Sequence, residues 1–177
     1  LERSEAGVDV VTADGERTRF DHVVTGVHGG DLLKLVAQPD AEERDILGAF
    51  KTQPNEMYLH RDADLMPKRR KVWSSWNYIS ETGVDGGRAV SLTYWMNSLQ
   101  PLPQEHPLFV SLNPLTPPRD ELVFKTSTYH HPIFDTAAVA AQKRLKDIQG
   151  RGRIWYCGAW TGYGFHEDGL VSGIGVA

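Results

Sequence analysis

The sequence has one cysteine, Cys157, in 177 residues. No intrachain disulfide can form, and a zinc cluster built on thiolates is excluded. Positive charge is not in excess: 19 lysines and arginines face 23 acids, for a formal charge of -4. The cations are scattered, so there is no electrostatic footprint for nucleic acid. No apolar run approaches the roughly 18 to 20 residues that span a bilayer, and the first residues lack the basic and apolar regions of a signal peptide. Histidines 28, 60, 130, 131 and 166 do not have the i, i+4 or paired-motif spacing of a ligand set, and no metal site is expected. Repeats and low-complexity tracts are also missing. These absences describe a mildly acidic, soluble domain of a reducing compartment, with a cytoplasmic location expected.

What is present fits one domain, or one domain plus part of another. Residue 1 is Leu and the last residues, "GLVSGIGVA", read as a helix cut short, so a piece of a longer protein is expected. The opening "GVDVVTADGERTRFDHVVTGV" reads as a hairpin around Asp14-Gly15, feeding a further strand. "HGGDLLKLV" reads as a loop and a short helix. "DAEERDILGAF" reads as a second helix, with Asp40 as N-cap and Ile46, Leu47 and Phe50 on one face. From Asn55 to His130, five segments rich in aromatic and β-branched residues alternate with turns such as "TGVDGG" and "NPLTPP". They are "EMYLHRD", "KVWSSWNYIS", "AVSLTYWMNSL", "PLFVSLN" and "ELVFKTSTY", and they predict an antiparallel sheet. "DTAAVAAQKRLKDIQG" is a helix capped by Asp135 or Thr136 and ended by Gly150, and "RIWYCG" is a short strand.

The stretch after that strand, "YCGAWTGYGFHEDGLVSG" (156–173), holds five glycines, four aromatics, two acids and a histidine. A strand ending at Gly158, a glycine-rich loop and a helix starting near Asp168-Gly169 have a physical use. The first turn of a helix carries unsatisfied N–H groups and about half a positive charge, which attract an electron-rich group placed over them. Gly169 admits close approach of a flat ligand, Asp168 caps the helix, and His166 and Glu167 face whatever lies above. The plainer reading of the same spacing is a strand-to-helix turn with no ligand.

This stretch, with "GVDVVTADGERTRFDHVVTGVHGG", "LHRDADLMPKRRKVWSSWNY", "LTYWMNSLQ", "FVSLNP" and "HPIFD", resembles the carboxyl-terminal part of the flavin-containing amine oxidase superfamily. The resemblance is nearest to its bacterial amine-oxidase-like members, which are similar to the amino-terminal extension of plant cyclopropane fatty acid synthases. It implies an α+β fold: a strand-rich antiparallel substrate-domain sheet, residues 38–135, inserted between parts of an FAD-binding α/β layer, residues 1–37 and 136–177. It implies FAD as cofactor. The loop from Gly158, with Ala159 and Trp160, would run beside the ribitol and pyrophosphate, and Asp168, Gly169 and Leu170 would meet the pyrimidine edge of the ring. Reduction places negative charge at that edge, which a helix N-terminus stabilises. Two departures stand out. The fingerprint G-x-G-x-x-G, which holds the pyrophosphate, is absent from the chain. Trp160 stands where many members place a ribitol-binding acid.

The remaining candidates are weighed beside that site. Trp73, Trp76, Tyr78, Tyr94 and Trp95 fall on neighbouring predicted strands, as sheet core or as an aromatic wall for substrate. Tyr163 and Phe165 line a substrate cavity in the flavin reading. "MPKRRK" is a solvated basic loop or an anion contact. Lys51, Lys68 and Lys71 are the candidates for a lysine near flavin N5, and none is singled out. His166 and Glu167, beside Asp168, form the titratable cluster with a claim to catalysis or positioning. The expected activity is hydride transfer from an amine or an unsaturated or acyl-lipid substrate to flavin, with the chain alone inactive. The alternatives are a non-catalytic flavin-fold binding or scaffolding module, and a lipid- or peptide-binding sheet with no flavin.

Overall fold

The hairpin signal at Asp14-Gly15 organises the amino-terminal sheet. In a computed structural model, which describes residues 1–82 and 88–177, Gly15 takes φ +88°. Its N–H donates to Thr12 O while Thr12 N–H donates to Glu16 O, both at 3.0 Å. This positive φ is the reason for glycine at the turn. Strands β2 (Gly7–Val11) and β3 (Arg17–Phe20) pair antiparallel across it, and β1 (Glu2–Ser4), which periodicity did not reveal, pairs with the other side of β2.

The chain divides into two compact units, Leu1–Gln53 with Pro132–Ala177, and Pro54–His131. The first unit adds β4 (Val23–Thr25), which runs parallel to β10 (Ile154–Tyr156). Its helices are α1 (Leu32–Leu35), α2 (Ala41–Gly48), α4 (Thr136–Arg144) and α5 (His166–Val176). At the start of α2, Asp40 accepts from Glu43 N–H while the Glu43 side chain accepts from Asp40 N–H, a reciprocal cap. Leu32, Ile46, Leu47, Ala138, Ile148, Ile154 and Tyr156 form the core with Trp160. Each large apolar side chain fully buried there contributes roughly 1.5–3 kcal/mol.

Helix α4 is capped by Asp135, which accepts from Ala138 N–H. It ends at Arg144, earlier than Gly150; a 3-10 turn, Leu145–Asp147, carries the apolar stripe onward so that Leu145 and Ile148 are still buried. Within this core lies an ionic cluster with no local sequence signal. The fully buried Glu43 carboxylate accepts two hydrogen bonds from Arg3 and one from Tyr156 Oη at 3.1 Å. Burial pushes the Glu43 pKa up, but the Arg3 guanidinium and Asp40 N–H outweigh it, and the net shift is downward.

The second unit is built on a five-stranded sheet of order β6-β7-β8-β5-β9. Its strands are β5 (Thr52–His60), β6 (Trp76–Thr82), β7 (Arg88–Trp95), β8 (Phe109–Leu112) and β9 (Val123–Pro132). The pairs β6–β7, β7–β8 and β5–β8 are antiparallel. The whole is a mixed α and β fold with antiparallel sheets and few helices. Three expected strands are shorter than their sequence suggested, and "PLFVSLN" keeps only Phe109–Leu112. Trp73 precedes β6, after a 3-10 turn at Arg70–Val72. "AVSLTYWMNSL" leaves the sheet at Trp95 and becomes a short helix, α3 (Met96–Leu99). There the Asn97 side chain donates to Pro103 O and His106 O and accepts from Leu108 N–H, tying the loop together. The turn expected at "TGVDGG" falls on residues 83–87, outside the described residues.

The register of this sheet places a group of polar side chains in the interior, on the same face as the fully buried Phe109. Asn77, Ser91, Thr93, Ser111 and His60 share the buried face, whereas Trp76 and Tyr78, on the face with Leu92, Tyr94, Val110 and Leu112, are more than half exposed. The buried polar groups are tolerated because they are bonded to one another. His60 Nδ1 accepts from Asp62 N–H at 3.1 Å, so Nε2 carries the proton and donates to Ser111 Oγ at 2.9 Å. Ser111 Oγ in turn lies 2.7 Å from Thr93 Oγ1.

Candidate functional site

Two loops leave the carboxyl ends of the parallel pair β4–β10, the place where open α/β layers bind ligands. One follows Thr25 and the other follows Tyr156. They are fastened together: Cys157 N–H donates to Thr25 O and Trp160 Nε1–H donates to Val27 O, each at 3.0 Å. The Trp160 indole meets the Phe50 ring, with centroids 4.5 Å apart. Burial pushes the Cys157 thiol up, so it remains neutral. At the end of β4 the Thr25 hydroxyl is buried and has no hydrogen-bond partner among the described residues.

Gly158 opens the second loop at φ +137°, and a β-carbon there would lie 2.6 Å from Trp160 Nε1. No other residue fits while Trp160 keeps its place. The loop is then tied to both flanking helices. Gly158 N–H donates to Ser172 Oγ of α5 at 2.8 Å, and that hydroxyl donates to Gly169 O. Gln142 of α4 donates through Nε2 to Trp160 O and Gly162 O, at 3.0 and 2.7 Å.

Helix α5 begins at His166, two residues before the expected Asp168-Gly169 start, with Phe165 as its N-cap. Asp168 caps from inside the first turn: its carboxylate accepts from Phe165 N–H at 2.9 Å and from Tyr163 N–H at 3.0 Å. Gly169 faces the loop rather than open space, since a β-carbon on it would stand 3.5 Å from Ala159 N. Around this helix end Tyr163, Phe165 and Leu170 are exposed, Tyr163 to 77%, and Val171 and Ile174 are exposed further along α5. The result is a helix N-terminus whose first turn carries the Glu167 and Asp168 carboxylates and which is bordered by apolar and aromatic side chains.

Gly158, Ala159, Trp160, Asp168, Gly169 and Leu170 therefore occupy one strand–loop–helix unit, with Tyr163, Phe165, His166 and Glu167 beside them. Trp160 is in that unit by its backbone only. Its side chain, 3% exposed, belongs to the core and offers no polar group to a ribitol. Trp73 and Trp76 belong to the second unit, on opposite faces of its sheet. Trp73 packs on Trp95 and Phe109 and donates to Pro67 O, whereas Trp76 is 52% exposed beside Tyr94. Lys51, Lys68 and Lys71 are all exposed.

Thr25, Gln142 and Ser172 complete the site and were not anticipated. Gln142 carried a readable signal: it occupies the i+4 position of the stripe Ala138, Ala141, Leu145, where an apolar residue is the rule.

No protein-family model and no curated protein matches the sequence. In fold the chain is similar to the crystal structure of a CLA-producing fatty acid isomerase from P. acnes. The TM-score is 0.52 at 16% identity, over 89% of this chain and 40% of that one. The chain thus spans well under half the length of that enzyme. At this identity the likeness is one of fold.

Proposed function

We propose that this chain supplies the strand end, loop and helix terminus of a flavin site in an FAD-dependent oxidoreductase of the amine-oxidase type. The observation that carries the proposal is the open first turn of α5 at the carboxyl edge of β4–β10, bordered by Tyr163, Phe165 and Leu170. That donor set suits a flat apolar ring with one electron-rich edge: helix amides for the edge, exposed aromatic and aliphatic groups for the faces. Bound FAD would supply a two-electron acceptor for a hydride from the substrate. Gly158 and Ala159 would approach the ribitol and pyrophosphate through their backbone. Asp168 holds the loop, and His166 and Glu167 stand at the helix end, where they would position substrate or move a proton. The resemblance of "YCGAWTGYGFHEDGLVSG" to the superfamily and the fold likeness to an enzyme named for fatty acid isomerisation both support the reading. The latter favours an unsaturated acyl chain over an amine as substrate.

The burial of Trp160, where many superfamily members place an acid, favours a second reading, a flavin-fold binding module without turnover. Anaerobic addition of unsaturated fatty acids and of amines to the flavin-loaded full-length protein separates the two. Bleaching of the flavin band by either class supports the oxidoreductase. A flavin that binds and is bleached by neither supports the module, and a protein that takes up no flavin contradicts both.

A further inference from the structure

The second unit holds a cleft of about 380 Å³ at one end of its buried polar sheet face. Ile79, Leu65 and Leu115 give it apolar walls, and Ser91, only 5% exposed, brings a hydroxyl to its floor. Ser91 lies on the same face as the His60–Ser111–Thr93 chain but takes no part in it. The volume falls in the range of small-molecule sites, and apolar walls with a few polar groups are the composition such sites share.

Charge decides what the cleft takes. Its rim carries three carboxylates, Asp62, Asp64 and Glu81, against the single guanidinium of Arg119. Asp62 is consumed within the protein. It accepts from Arg119 Nη2 at 2.8 Å, from Arg119 Nε and backbone N–H at 3.0 Å, and from Asp64 N–H at 3.1 Å. Arg119 holds the Asp62 carboxyl well below the usual carboxylate range. These two charges cancel in a forked pair, and Arg119 also leans toward Asp64, at 3.2 Å. An incoming anion would meet a guanidinium already shared by two carboxylates. An incoming cation would meet Glu81, which is exposed, and Asp64, whose side chain is 80% exposed.

We infer that this cleft binds a small organic cation: an alkylammonium whose charged end lies between Glu81 and Asp64 and whose chain lies along Leu65, Ile79 and Leu115. The inference concerns the second unit by itself and does not depend on the flavin reading. Titration of the whole chain with hexylammonium chloride, followed by amide shifts, tests it, with sodium hexanoate as the anionic counterpart of equal length. Saturable shifts at Leu65, Ile79, Ser91 and Leu115 are expected with the amine and none with hexanoate. Glu81→Gln and Asp64→Asn should each weaken amine binding about threefold, and together about tenfold, as partly exposed charge pairs do. Both replaced side chains are at the surface, and an unchanged melting temperature verifies the fold of each variant. Equal binding of hexanoate, amine affinity unaltered in the double variant, or shifts confined to other residues would each overturn the inference.

Discussion

At the scale of single residues, the largest stabilising commitments are contacts between positions far apart in sequence. Glu43 is the clearest, a carboxylate inside the core that is tolerable only because Arg3 and Tyr156 surround it. Glu43→Ala should destabilise the protein by about 3 kcal/mol, since it strands a largely buried guanidinium and removes half of the α2 cap. Chemical denaturation measures this, and a loss below about 1 kcal/mol would show that the pair contributes little. No sequence pattern announced it, because 40 positions separate the partners. Trp160 was equally hidden: an aromatic in a glycine-rich loop looks solvent-facing until Phe50 and Gly29 are brought under it. Asp40 and Asp135 were legible because a cap acts over three residues.

At the scale of elements, the start of α5 and the polar chain in the sheet each make a prediction. Replacing Asp168 with Ala leaves the N–H groups of Tyr163 and Phe165 without their acceptor and should cost about 1 kcal/mol, the usual worth of a cap. Amide exchange at those two residues should quicken, and Asp168→Asn, which keeps an acceptor, should restore much of the protection. Exchange unchanged in the Ala variant would mean that the carboxylate does not hold the loop. In the sheet, burial holds His60 below the ordinary histidine range, against the opposing charge of Asp62, and the folded ring is neutral. The unfolded ring takes up a proton near pH 6.5, so the stability that the neutral ring confers is complete above that value and is lost as pH falls below it. Denaturation midpoints should decline between about pH 7 and pH 5, and His60→Gln should flatten that decline. Parallel curves for both proteins would remove His60 as the cause.

Element types were readable wherever local signals agreed. The Asp14-Gly15 hairpin, α2, α4 and β10 follow from turn chemistry, caps and apolar spacing. The strand that breaks at Trp95 does not, because Asn97 ends it through partners up to 11 residues away. The buried polar face of the sheet is the larger lesson: alternation places residues on two faces but cannot say which face other elements will cover, and Ser91, Thr93 and Ser111 lie in the interior.

At the scale of the whole molecule, the chain combines a unit built from both of its ends with a strand-rich unit from its middle. The first carries the helix terminus proposed for flavin, and the second carries a separate cleft rimmed by carboxylates. Because the chain contains no G-x-G-x-x-G, its own affinity for FAD should be weak, a regime suited to amide shift mapping. Titrating FAD into the labelled chain therefore tests the central claim most directly. The account predicts concentration-dependent shifts largest at Gly158, Gly169 and Leu170, with the Leu65–Leu115 cleft unmoved; amides that stay still at the start of α5 while others move, or while FAD binds, would contradict it.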